Sequence, residues 1–333
     1  MDSFSAIFWP FRPRNPNPPI SRYSLDEKIC ALNLHGFQVR EYTSPIVGQR
    51  FRELLESINL KKSLSKTAYQ KAMPELQERL RKLQYAAKVA NVSTIVCLEG
   101  WDAAGKGRAI RKLTQKLDPR LFRVWSGTPP TPLEQRYHFL HRYQLALPNY
   151  GEMAVFNHGW YRQVLEDRCD KKLKKSEWLI AYQQINEFER WLAEDRQLII
   201  KFWMHISKKK QKQRFKKYVA DPNLAWRVTK DYRRHHRDYD KWLPTVEEML
   251  TKTETSYAPW SLIEANDQRW ALVRIFEVLA QRIEKELDRY SQEDSSSQTA
   301  EVIEEVHQTL AKKRGKRSPV NGRHREQAEV GNA

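Results

Sequence analysis

Apolar positions along the chain follow two rhythms. Short, nearly continuous apolar runs occur at residues 94–98, 122–125, 153–156, 198–206 and 260–265, with Lys201 interrupting the longest. Runs of this length predict strands buried on both faces. Elsewhere apolar residues recur at three- and four-residue steps. Leu76, Leu80 and Leu83 predict a helix near 68–89, and Leu272, Phe276, Leu279, Ile283 and Leu287 predict the helix that closes the domain. The alternation predicts an α/β fold: a parallel sheet of about five strands, covered by helices on both sides, in one domain.

Composition sharpens the boundaries. Five prolines within residues 9–19 disfavour helix and internal strand, so residues 1–62 read as an extension with a Pro-rich start. Residues 291–333 open with three serines and close with basic clusters, and read as a disordered basic tail. The chain of 333 residues carries 59 Lys+Arg against 41 Asp+Glu, a formal charge of +18. That balance calls for a polyanionic partner, with DNA, RNA, anionic lipid and inorganic polyphosphate all open on charge alone. The longest apolar run is far short of the roughly 20 residues of a membrane span, and no secretory signal is visible at the start. The three cysteines, Cys30, Cys97 and Cys169, are far apart and lack metal-type spacing, which predicts a reducing, cytoplasmic setting.

The most informative stretch is Glu99-Gly-Trp-Asp-Ala-Ala-Gly-Lys-Gly107. Gly100, Gly105 and Lys106 satisfy the G-x-x-x-x-G-K core of a phosphate-binding loop, with a predicted strand before it and a predicted helix after it. Gly100, Ala103, Ala104, Gly105, Gly107 and Arg108 would bind phosphate, the glycines letting the backbone turn its N–H groups inward, and Lys106 would bring a point charge to it. Position 107 is Gly where most such loops carry the Ser or Thr that binds Mg²⁺. The metal therefore needs another oxygen ligand, and Asp102 is the candidate.

With this loop, the motifs Thr128-Pro-Pro-Thr-Pro-Leu-Glu-Gln-Arg136, Trp160-Tyr161, Phe188-Glu189, Trp203-Met-His-Ile-Ser-Lys208, Gln213-Arg-Phe215, Trp226-Arg-Val-Thr229 and Ala258-Pro-Trp-Ser-Leu-Ile-Glu-Ala-Asn-Asp267 make residues 63–287 resemble the polyphosphate kinase type 2 family, most closely its AMP-phosphorylating branch. The resemblance implies a P-loop kinase-like three-layer α/β/α domain over 63–290, with a helical lid at about 207–250. It implies transfer of a phosphoryl group between inorganic polyphosphate and AMP, ADP or GDP, with Mg²⁺ or Mn²⁺ as cofactor, in a homodimer or homotetramer. It also implies catalytic roles for Lys106, Asp102 and Arg168. The family's third strand usually ends in Asp-Arg-Ser-Trp-Tyr, whereas this chain has Asn157-His-Gly-Trp-Tyr161. Asn157 thus stands as the second metal ligand in place of a carboxylate, and His158 replaces a phosphate-binding arginine that imidazole does not match. Gln163 also stands where the family often has Arg. A binding relative with reduced or lost catalysis is the alternative these replacements raise.

Residues 207–217 hold seven basic side chains in eleven and no acid. They follow the fourth predicted strand, at the sheet end where open α/β folds bind ligands. Helical spacing puts Lys210, Arg214 and Lys217 on one face, and Lys208 and Arg227 join them as candidate polyphosphate contacts. Basic residues interleaved with Tyr and Trp also suit nucleic acid, but a plain nucleic-acid module has no need of a phosphate loop. His138, His205, His235 and His236 fall on different predicted elements and argue against a histidine metal site.

Overall fold

The structure, a computed structural model, describes residues 54–293 and Gln308. Five strands form one parallel sheet: β1 Ser93–Gly100, β2 Phe122–Ser126, β3 Met153–Asn157, β4 Gln197–His205 and β5 Trp260–Glu264. Their order is β2-β3-β1-β4-β5. Central β1 pairs with β3 on one side and β4 on the other, with Val96 facing Val155 and Ile200. Every residue of β1 and β4 is buried, as helices on both faces require.

The helices are α1 Lys66–Val89, α2 Lys106–Thr114, α3 His141–Gln144, α4 Lys175–Glu194, α5 Lys208–Ala220, α6 Lys230–Arg237, α7 Tyr239–Lys252 and α8 Gln268–Glu293. Ser65 caps α1 by accepting from the N–H of Ala68 at 3.1 Å. Asp267 caps α8, accepting from the N–H groups of Arg269 and Trp270 at 2.9 and 2.8 Å. The periodic leucines work as expected: Leu80 and Leu83 on α1 and Leu272, Phe276, Leu279, Ile283 and Leu287 on α8 all lie in the core. No helix among the described residues is long and apolar enough to cross a membrane.

Two boundaries move. Within the expected extension, Leu55 is buried and its N–H donates to Glu247 Oε1 at 3.2 Å, while Lys62 pairs with Glu264 at 2.7 Å. Residues 54–62 therefore belong to the domain, because their apolar and charged groups find partners far along the chain. The Pro-rich start and the basic tail lie outside the described residues. The expected lid at 207–250 also shrinks at its far end. Val246, Met249 and Leu250 of α7 are buried in the core, so that end of the segment is scaffold.

Candidate active site

The phosphate loop leaves the C-terminal end of β1 at the point where the chain's strand order turns from one side of the sheet to the other, where open α/β sheets bind ligands. Gly100 has φ +136°, and a Cβ there would sit 2.4 Å from Met204 O, so only glycine lets β1 turn this close to β4. Gly105, φ +119°, makes the left-handed step into α2. Ala103 takes a left-handed conformation without being glycine, φ 61°, and a side chain held there is strained.

Lys106 is buried at 8% exposure, and its ammonium donates to Gly100 O and to Trp101 O (3.2 Å). Burial pulls its pKa down, partly offset by the carboxylates of Asp102 and Glu99. Asp102 Oδ2 lies 2.8 Å from His235 Nδ1 on α6. Burial alone would raise the Asp102 carboxyl, but the bond from His235 and the charge of Lys106 outweigh it and hold it below its usual range. Asn157 ends β3, and its Oδ1 is buried without a hydrogen-bond partner. Buried oxygens are normally satisfied, so this one suits a divalent cation or its water. Among the described residues no three His, Cys, Asp or Glu side chains gather as a metal cage. Asp102 lines neither lobe and its Oδ2 is held by His235, whereas Asn157 lines the larger lobe with its Oδ1 unpartnered, so of the two expected ligands Asn157 offers the free oxygen to an ion that takes few protein ligands.

A cleft of about 890 Å³ opens over the loop, lined by Ala103, Gly105, Lys106, Gly107, Asn157 and His158 together with Trp226, Arg227, Thr229 and Tyr232. A second lobe of about 520 Å³ adjoins it, lined by Lys210, Lys217, Asn266 and Arg269 among others. Arg108, Tyr218, Leu224 and Gln268 line both lobes, so the two form one continuous groove. Gly107 leaves open space where a Cβ would be.

The fold and this loop define a P-loop phosphate-binding α/β protein of the kinase-like class. The polyphosphate kinase 2 family model matches residues 63–291, and the chain belongs to that family. It is 35% identical over 233 residues to the polyphosphate:AMP phosphotransferase of Pseudomonas aeruginosa, covering 70% of this chain and 47% of the relative. Against the AMP/ADP-polyphosphate phosphotransferase of Meiothermus ruber it is 32% identical, covering 70% of this chain and 88% of the relative. The crystal structure of polyphosphate kinase 2 from Arthrobacter aurescens TC1 superposes with a TM-score of 0.66 at 25% identity, covering 69% of this chain and 84% of that one. The chain spans about half the length of the Pseudomonas polyphosphate:AMP phosphotransferases it matches (47% and 48%).

The structure brings together most of the residues singled out from sequence and sets others apart. Gly105, Lys106, Gly107, Arg108, Asn157 and Arg227 line the larger lobe, and Lys210 and Lys217 the smaller. Lys208 instead pairs with Asp240 at 2.5 Å and lines neither lobe. Arg168 is away from the groove. Its guanidinium stacks 3.8 Å from the Trp178 ring and bonds Glu248 Oε2 at 2.7 Å and Tyr182 Oη at 3.0 Å. That geometry ties the end of the π-helical turn Gln163–Asp167 to α4 and α7. Arg214 is buried with its donors on backbone carbonyls.

Sequence reasoning missed four participants. His235 reaches Asp102 across 133 positions, and Gln211 donates to Asp102 O at 3.1 Å. Glu99 accepts from the N–H of Gly159 at 2.6 Å and lies 3.0 Å from His158 Nδ1, so His158 keeps a carboxylate partner. Trp226, 72% exposed, stands at the groove's mouth. Glu99 and Trp226 did stand within quoted motifs, but neither motif gave them a role, and nothing in the sequence joined His235 to Asp102.

Proposed function

We propose that this protein transfers a phosphoryl group between inorganic polyphosphate and a nucleoside mono- or diphosphate, with AMP the first candidate acceptor and ADP or GDP next. The observation that carries this is the buried ammonium of Lys106 in the phosphate loop, beside a groove whose two lobes measure about 890 and 520 Å³. Family membership and the names of the relatives support the same reading.

Phosphoryl transfer needs the donor and acceptor oxygens held in line and the charge on the equatorial oxygens neutralised. Lys106 and the loop amides hold the phosphate undergoing transfer. Arg108, at the junction of the two lobes, neutralises the phosphate next to it, and Lys210, Lys217 and Arg227 hold the rest of the chain. Many weak, equivalent cation contacts suit a polymer that must advance between turnovers. Trp226 and Tyr232 offer aromatic faces to the nucleotide in the larger lobe. Asp102, with Asn157 as partner, would hold Mg²⁺ or Mn²⁺, which would supply positive charge to the transferring phosphoryl group.

The test is the yield of ADP or ATP from AMP, long-chain polyphosphate and Mg²⁺. We expect turnover in the wild type and a loss of about 10²–10³-fold in Lys106→Ala, the scale of removing one preorganised transition-state contact. Polyphosphate binding without any turnover in the wild type would instead favour a binding relative. The Asn157 and His158 replacements are the observation behind that second reading.

A further inference from the structure

The basic helix α5 docks on the phosphate loop through two side chains one helical turn apart. Gln211, fully buried, donates from Nε2 to Asp102 O at 3.1 Å. Arg214 donates from Nη1 to Ala103 O at 2.7 Å and to Ala104 O at 2.9 Å. Its Nη2 donates to Ala265 O at 2.6 Å and to Asn266 O at 3.1 Å, in the turn between β5 and α8. Three consecutive carbonyls of the loop are thus captured by one helix. Each peptide unit is planar and trans, so its C=O and the following N–H point in opposite directions. With the carbonyls of residues 102–104 drawn towards α5, the N–H groups of Ala103, Ala104 and Gly105 are turned to the opposite side. That of Ala104 closes a turn onto Trp101 O at 3.0 Å. Those of Ala103 and Gly105 are left for the groove that both residues line.

From this we infer that Arg214, assisted by Gln211, is a positioning residue that sets the direction of the phosphate loop's amides, so that a member of the basic run acts on the loop rather than on polyphosphate. A count of donors agrees. A guanidinium has five N–H groups, and four of those in Arg214 are engaged by carbonyls. Arg214 lines the smaller lobe together with Lys210 and Lys217, but at 6% exposure it presents little surface there and its donors are taken by carbonyls. A lysine at 214 would keep the charge, but its three N–H groups radiate from one nitrogen and could not reproduce the fork that reaches four carbonyls. The inference rests on the phosphotransferase reading for the identity of the bound anion.

The test compares pyrophosphate, short enough to occupy the loop alone, with long-chain polyphosphate, which also spans the groove lysines. Kd and site stoichiometry are measured by calorimetry in wild type, Arg214→Lys, Arg214→Gln and Gln211→Leu, alongside turnover. For both Arg214 variants we expect the pyrophosphate Kd to rise at least about tenfold at full stoichiometry and turnover to fall about 10–100-fold, the range that small misplacement of reacting groups produces. Long-chain Kd should stay within about threefold, with the salt slope unchanged. Gln211→Leu should move the same way by a smaller factor, and it decides the matter should the Arg214 variants not fold.

A direct phosphate contact predicts that Arg214→Lys binds both anions like wild type, while Arg214→Gln loses about one unit of salt slope; that result overturns the inference. So does a fall in stoichiometry at unchanged Kd, which marks a purely structural role. If the wild type binds neither anion, the phosphotransferase reading itself fails. If the wild type binds both and all three variants match it, only the positioning role fails.

Discussion

His205 lies behind the phosphate loop, where its Nδ1 accepts from the indole Nε1 of Trp101 at 3.1 Å. Trp101 in turn stacks on Tyr239 of α7, ring centroids 4.0 Å apart. Burial pushes the His205 pKa down to about 4 from the ordinary 6.5, and the neutral ring is the form that can accept the indole N–H. Below pH 6.5 the unfolded chain takes up a proton that the folded chain refuses, so folding stability falls with pH until the ring protonates near 4. That shift corresponds to about 3 kcal/mol. Urea midpoints followed from pH 7.5 to 4.5 should drop more steeply in wild type than in His205→Asn, whose amide oxygen can still accept from Trp101. Parallel curves for the two proteins would show that His205 plays no part in the acid sensitivity.

The middle of strand β4 carries a charged residue that its apolar pattern does not explain. Lys201 is fully buried, and its ammonium donates to Glu189 Oε2 at 2.8 Å and Thr253 O at 2.6 Å, 4.9 Å from the Trp260 ring centroid. Glu189 on α4, itself fully buried, also accepts from Trp160 Nε1 at 2.9 Å and from the Tyr161 hydroxyl. One ion pair therefore links β4, α4, the segment after β3 and the approach to β5. Losing one partner strands a charge in the core, and Lys201→Met should cost about 3–5 kcal/mol. The double variant Lys201→Met with Glu189→Gln should be less destabilised than the sum of its singles, because no unpaired charge remains. Additive losses in denaturant unfolding would mean that the two groups act independently.

Among the described residues, several cations converge on the groove. Lys210 and Lys217 line it, whereas Lys208, on the same helix, is neutralised by Asp240 outside it. Binding of long-chain polyphosphate should weaken steeply as salt rises through the physiological range. Replacing Lys210 or Lys217 by Gln should reduce the slope of log Kd against log salt by about one unit, while Lys208→Gln should leave it unchanged. Equal slopes for all three would place the polymer elsewhere on the surface.

The five strands, the two long helices and the phosphate loop were legible in the amino-acid sequence because each depends on short-range periodicity or on a contiguous motif. Residues 94–98 had to be a strand, and Gly100, Gly105 and Lys106 had to follow in that order for the turn to close. What each long polar side chain does could not be read that way. Arg168, Arg214, Lys208 and Lys217 look alike as cations in the chain, yet one stacks on Trp178, one grips the loop's carbonyls, one pairs with Asp240 and one faces the groove. The partners lie from 10 to 133 positions away for Arg168 against Trp178 and His235 against Asp102, and only packing brings them within bonding distance. The sequence by itself determined the sheet, its covering helices and the phosphate cradle. The tertiary structure decided which charges serve the fold and which remain for a ligand, because a buried donor must take the nearest acceptor that folding supplies.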